Sequence, residues 1–467
     1  MRRRPPKIQP ARVQVLNDRS PKRRRYVLYW MQQSQRAEYN HALEYAIGRA
    51  NELDQPVVVG FGLTDQFPEA NLRHYAFMLE GLRDVQRALR SRGIQMTVLR
   101  GSPDDVALTL GKDASLIVCD RGYLRCQRKW RERVASKADT QVVQVESDVI
   151  VPVETVSDRA ESSARTIRPR ILRHLPGYLV ELPPSPVRKD SLGLRIEGLA
   201  LEDAAATLGH MRLDRSVPPV PSAAGGTNAG KAVLRQFIDN YLDGYAANRN
   251  QPQTDHVSHM GQYLHFGQIS PVYVALQIRG ARPHGGPDVD AYLEELIVRR
   301  ELAQNFVHFT PGYDRYSCLP TWARQTLRRH RTDPRDPEYT RAELEAAQTH
   351  DPYWNAAMRE MLHTGYMHNY MRMYWGKKIL EWSATPEAAY RTALALNNKY
   401  LIDGRDPNSF AGVAWVFGMH DRPWPERPIF GMVRSMAASG LERKCDPGAY
   451  VRKVDRLVAA AQTPRLT

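Results

Sequence analysis

The sequence predicts two bodies, an N-terminal α/β half on a parallel sheet and a C-terminal half that is all helix. Three observations carry this. From residue 25 to about 153, short apolar runs rich in β-branched residues alternate with amphipathic stretches. A segment rich in Pro, Gly, Ala and Ser follows at 183–230. Beyond 231 strand-like runs nearly vanish and helical periodicity takes over.

In order, strands are expected at 26–30 (YVLYW), 57–61 (VVVGF), 96–99 (MTVL), 116–119 (LIVC) and 142–145 (VVQV), with helices at about 36–52, 73–91 and 123–138. These strands are apolar almost throughout rather than at every second residue, which suits a sheet covered on both faces. Gly60 and Gly62 lack the third glycine of a dinucleotide fingerprint and lie outside the first strand-to-helix turn, so they read as a tight turn. Residues 1–24 are expected to be a basic flexible tail, 25–182 the α/β domain, 183–230 a surface linker and 231–467 the helical domain. Its helices are expected at 231–247, 269–280, 288–307, 340–348, 354–382 and 386–398.

Composition narrows the function. Lys and Arg number 66 against 51 Asp and Glu, a net charge of +15. The first 25 residues hold ten of those cations and one acid, leaving about +6 on the body. Such a balance fits either a solubilising surface or a polyanionic partner. No apolar run approaches the ~18 residues of a membrane span, and the opening Met-Arg-Arg-Arg-Pro-Pro has no apolar signal region. A soluble, cytoplasmic chain is expected. Four cysteines, none in a C-x-x-C pair, point to a reducing compartment without a cysteine metal site. His363, His368 and His420 have no ligand spacing, so no metal is expected.

The helical half holds six of the eight tryptophans. Trp375 and Trp382 are seven apart on one predicted helix, so they share a face ~10 Å apart. That pattern is either core packing or a path for hopping electrons. Arg372 lies among apolar neighbours and needs a partner, which Asp403 or Asp406 could supply as a structural ion pair. Asn397 and Asn398 read as a cap or turn. His420-Asp-Arg422-Pro-Trp424-Pro-Glu-Arg427 combines cations with a ring in a Pro-rich loop, which suits either a nucleic-acid contact or a solvated loop.

Tyr26-Val-Leu-Tyr-Trp-Met-Gln-Gln-Ser-Gln-Arg36, Tyr263-Leu-His-Phe-Gly-Gln-Ile-Ser270, Leu293-Glu-Glu-Leu-Ile-Val-Arg-Arg-Glu301, Tyr370-Met-Arg-Met-Tyr-Trp375 and Asp403-Gly-Arg-Asp-Pro407 resemble the class II cyclobutane pyrimidine dimer photolyases. The resemblance runs in order from about residue 25 to 450. It implies a Rossmann-like N-terminal domain and an all-α C-terminal domain holding FAD, active when reduced. It also implies light-driven electron transfer to a pyrimidine dimer flipped out of double-stranded DNA by a monomeric enzyme. By the same resemblance Asn397 sits beside the flavin, Arg372 and Asp403 pair across its ring, and Tyr245, Ser258 and Asp406 wrap the rest of the FAD. Glu295, protonated or sharing a proton, bonds the dimer, while Met373 and Trp415 form its apolar wall. Trp354, Trp375 and Trp382 carry electrons inward. Arg249, Arg422, Trp424 and Arg434 touch DNA.

The sequence departs from the family pattern in places. Gly261 replaces an expected hydroxyl near the FAD phosphates. Arg299 stands where a second dimer-contacting Trp is common, so either it helps to hold the lesion or the wall is built differently. Met432 and Ser435 replace a usual Lys and Tyr. A second antenna pigment, deazaflavin or folate, is looked for near 29–32 and 120–123. The alternative functions are a cryptochrome-like light sensor and repair of the (6-4) photoproduct.

Overall fold

A computed structural model describes residues 8–462. Six strands form one sheet in the order β1-β6-β5-β2-β3-β4, where β1 is Val13–Val15, β2 Tyr26–Trp30, β3 Val57–Leu63, β4 Gln95–Arg100, β5 Ala114–Asp120 and β6 Val142–Val145. All pairs are parallel except β1 against β6. Every residue of β2, β3, β5 and β6 is buried. Alternation of side chains across the pleat explains this. Val27, Tyr29, Val59 and Val118 pack with helices α1 (His41–Glu52) and α2 (Leu72–Ser91) on one face. Leu28, Trp30, Val58 and Ile117 pack with α3 (Pro103–Gly111) and α4 (Arg125–Lys137) on the other.

Gly60 and Gly62 lie inside β3 rather than in a turn. A Cβ at Gly62 would stand 2.5 Å from Pro103 Cα, and one at Gly60 2.5 Å from a Leu110 methyl. These glycines seat α3 on the sheet. The helix α3 was not expected from the sequence, and neither was Ala164–Tyr178, whose internal Pro169 and Pro176 read as breakers.

The flexible tail is corrected for the residues the structure describes; residues 1–7 lie outside them. Val13–Val15 closes the sheet edge antiparallel to β6. Arg12 is buried and donates to the carbonyls of Glu146, Val149 and Ile150. Lys22 and Arg24 both pair with Asp139. A three-residue strand is too short to show a period, and its flanking cations resemble a solvated run. Part of the 183–230 segment is docked rather than loose: Leu201 and Met211 are buried against α1 and α2.

Past residue 226 the described chain is helical. The helix expected at 354–382 is two helices, Pro352–Thr364 and Asn369–Trp382. Gly365 divides them at φ +65, and Ile402 packs where a Cβ would go. The single helix expected at 288–307 is also divided, into Pro287–Leu293, a π-helical stretch Glu294–Arg299, and Arg300–Phe309. Polar contacts tie the halves together. Arg73 donates to the carbonyls of Pro218, Met361, Leu362 and Tyr400, and Arg36 to that of Gly267. Among the described residues no helix is long and apolar enough to cross a membrane.

Candidate active site

His368 starts the helix Asn369–Trp382 by accepting from the Tyr370 amide. One turn on, Arg372 Nη2 lies 3.0 Å from Asp403 Oδ2, Nε donates to Met367 O at 2.9 Å, and the guanidinium lies over the Tyr366 ring. The pair expected between Arg372 and Asp403 is therefore present. Asp403 Oδ1 is buried without a partner, an unmet acceptor beside the pair. Gly261 accounts for this approach, because a Cβ there would stand 2.6 Å from Asp403 Oδ2. Asp406 accepts from the Ser409 amide at 2.7 Å and so starts the helix Pro407–Val416. Burial, then the charge of Asp403, pushes its carboxyl up to about 6.

Asn397 and Asn398 are not a turn. Both are buried in the last turn of the helix Pro386–Tyr400. Asn397 Nδ2 donates to Asn398 Oδ1 at 3.1 Å. Asn398 also accepts from the Arg405 amide and donates to Glu69 of the α/β half. Asn397 is thus held by a neighbour locked on both sides. Tyr245 packs edge-on to Tyr292, and Tyr292 donates to Ser258 Oγ at 3.0 Å.

The three tryptophans form a continuous stack. Trp354 and Trp375 are 6.4 Å apart between ring centroids, with ring planes nearly parallel at 10°. Trp354 and Trp382 are 5.7 Å apart, and Trp354 Nε1 donates to Trp375 O. Trp375 shares its helix with Arg372. Trp382 is buried, so the chain does not end at the surface there. Tyr339, 5.4 Å from Trp382, continues it, with its hydroxyl 2.9 Å from Nδ1 of the exposed His350. Sequence reading missed both residues, because they lie on another segment with no periodic relation to the tryptophans.

Glu295 occupies the π-helical stretch, where the extra residue per turn re-aims side chains. Its Oε1 is 2.7 Å from Arg249 Nη1. Arg249, expected at the DNA, and Glu295, expected at the dimer, are thus paired with each other. Arg299 pairs with Glu294 at 3.3 Å, as does Arg168 at 2.7 Å. Met373 and Trp415 are partly buried against the core of this half.

Trp415 belongs to an alternating series of rings and basic groups. Lys377 Nζ lies 5.2 Å from the Trp415 ring, Arg434 spans Trp415 and Trp424 at 6.0 and 5.0 Å, and Arg422 lies 5.3 Å from Trp424. Lys377 is fully buried and donates to Val416 O. Burial pulls its amine down to about 7. The sequence marked three of the outer members but not Lys377, which a helical pattern hides as an ordinary surface lysine.

A further cleft, partly open to solvent, lies between the halves and is lined by Gln32, Gln35, Phe67, Trp130, His265 and Arg405 among others. Both amide atoms of Gln32, Gln35 Oε1, His265 Nδ1 and Arg405 Nε are buried there without partners. Of the segments where a second pigment is looked for, Met31 and Gln32 line this cleft and 120–123 do not. Asp120 spends its carboxylate on the amides of Gln32, Gln33 and Ser34. Tyr123 is turned to Glu146, and Leu124, Gln127 and Trp130 line the space instead.

Residues 27–187 match the model of the DNA photolyase family. The chain is 51% identical over 452 residues to the deoxyribodipyrimidine photo-lyase of Methanothermobacter thermautotrophicus, an alignment covering 97% of this chain and 99% of that one. A bacterial class III photolyase from Agrobacterium tumefaciens superposes with a TM-score of 0.73 at 19% identity, covering 96% and 91% of the two chains. An archaeal photolyase from Sulfolobus tokodaii, described with two FAD molecules, superposes at 0.68 with 14% identity and covers 94% of each chain. With near-complete coverage at that level of identity, this chain belongs to the DNA photolyase family.

Proposed function

We propose that this chain repairs cyclobutane pyrimidine dimers in double-stranded DNA by light-driven electron transfer, as a class II member of its family. The observation that carries the reading is the Trp382–Trp354–Trp375 stack, which leads to the helix bearing the Arg372–Asp403 pair. Such a stack offers single-electron steps between touching rings, a use that core packing alone does not require. The lone acceptor of Asp403, the Arg372 guanidinium and Asn397 fit a ring with both donors and acceptors on its edge, as a flavin has. FAD, when bound and reduced, supplies a light-driven electron to the dimer and takes it back once the ring has opened. Arg372, Asp403, Asn397 and Asp406 would hold it, with Tyr245 and Ser258 on the flank.

Glu295 and Arg249 act together in this reading. The carboxylate fixes the guanidinium, and the guanidinium presents hydrogens to the dimer carbonyls. Met373 and Trp415 supply the apolar wall, while Arg422, Trp424 and Arg434 meet the phosphates and fill the gap left by the flipped bases. The cleft between the halves, with its unpaired polar atoms, is the place for a polar second pigment in this reading, a deazaflavin, a folate or a second flavin.

The test is repair of a thymine-dimer oligonucleotide by the purified, reduced protein in blue light and in darkness. Recovery of thymine absorbance in light alone supports the reading. A protein that binds and photoreduces flavin yet restores no thymine overturns it in favour of a light sensor or another lesion.

A further inference from the structure

Five arginines fall within fifteen residues, at 159, 165, 168, 170 and 173. Two are neutralised. Arg168 forks onto Glu294 at 2.9 and 2.7 Å, and Arg170 Nε lies 3.2 Å from the buried Glu161. Arg159, Arg165 and Arg173 are exposed. Among the described residues none of the three has an acidic partner within ion-pair distance or a side-chain hydrogen bond. A helix face that is merely solvated usually alternates its charges at three- and four-residue spacing. Here the acids within reach are already taken, apart from the exposed Asp158.

The surface is also shaped and anchored. Arg159, Arg170 and Arg173 line an open groove together with Ser162, Thr166 and Glu161, whose carboxylate is held by Arg170. Asn305 holds the turn that carries it, accepting from the Glu161 amide at 2.7 Å and donating to Arg159 O at 2.9 Å. Two contacts join the groove to the candidate lesion site. His420 Nδ1, which precedes the Arg422–Trp424 loop, is 3.1 Å from Ser162 O. Glu294, next to Glu295, is shared by Arg168 and Arg299.

We propose that the turn at 159–163 and the helix Ala164–Tyr178 form a second DNA-contacting surface, which grips the phosphate backbone of one duplex arm beside the flipped dimer. The proposal rests on the repair function above and adds to it a site in the α/β half. Unpaired guanidiniums gain free energy on phosphate through release of condensed counterions, and the exposed Ser162 hydroxyl adds a donor for a phosphate oxygen. Because this contact lies off the lesion, it acts on long duplexes and not on a minimal substrate.

The experiment compares wild type with the triple variant Arg159→Ala/Arg165→Ala/Arg173→Ala on two probes. One is a dimer-containing duplex of about three helical turns, at roughly 10 base pairs per turn; the other is a short single-stranded dimer. Duplex affinity is expected to fall about tenfold, and the slope of log affinity against log salt to drop by about 2–3. Affinity and light-driven repair of the short dimer should stay within about twofold of wild type. The triple variant to Lys should recover the duplex affinity, since a point charge serves for phosphate. An unchanged duplex affinity and salt slope overturns the proposal, as does an equal loss on both probes. A wild type that repairs neither probe but loses duplex binding in the triple Ala variant sinks the repair reading and supports this surface.

Discussion

Arg372 and Asp403 form a pair that the sequence could foresee only as a need: a guanidinium among apolar neighbours requires a carboxylate, and one lay thirty-one residues on. Gly261 packs closely against it, since a Cβ there would stand 2.6 Å from Asp403 Oδ2. Two predictions belong at this scale. Trp354 touches both other tryptophans, so Trp354→Phe should slow photoreduction of the oxidised holoprotein at least about tenfold, since each 1.4 kcal/mol of barrier is tenfold in rate. Repair by chemically pre-reduced protein should stay close to wild type, and comparable photoreduction in both proteins would rule out the stack as the path. Lys377 gives the second. Its amine titrates near 7 in the fold, against about 10 in an unfolded chain. Between those values the unfolded state binds more protons, so this lysine makes stability rise with pH across that window. Lys377→Met lacks the rise, and the variant's melting temperature relative to wild type should fall steadily from pH 7 to pH 10. A constant difference would show that Lys377 does not titrate there.

Elements divide where backbone geometry, not hydropathy, decides. The aromatic-rich stretch 354–382 has the period of one helix, yet Gly365 takes φ +65 and the chain turns. An l-residue there meets both the left-handed penalty of about 1–2 kcal/mol and the Ile402 side chain at 2.7 Å. Gly365→Ala should therefore lose at least that much in urea unfolding, and the loss should reach the site, because Arg372 and Trp375 lie on the second helix. The π-helical stretch Glu294–Arg299 is a second such case. Its residues read as ordinary amphipathic helix, and only the altered hydrogen-bond register places Glu294 and Glu295 against three different arginines.

The whole molecule depends on buried cations that join its halves. Arg73 satisfies four carbonyls on three segments distant in sequence. Removing one partner from a buried hydrogen bond costs about 1–3 kcal/mol per group left unmet. Arg73→Met should lower stability by about 3 kcal/mol or more and split a single unfolding transition into two, read by intrinsic fluorescence in urea; a variant as stable as wild type would show that water replaces the guanidinium without cost. By itself the sequence determined five of the six sheet strands, the helical second half and the residue types of the site, because hydropathy period and local composition act over a few neighbours. It also carried the family in its motifs. Only the tertiary structure decided that the tail at 8–24 closes the sheet, that Arg249 is held by Glu295, that the tryptophan stack continues to Tyr339 and that Lys377 sits under Trp415. Each of those depends on which distant segments meet, and meeting is set by packing and by the pairing of buried charge, quantities no local window contains.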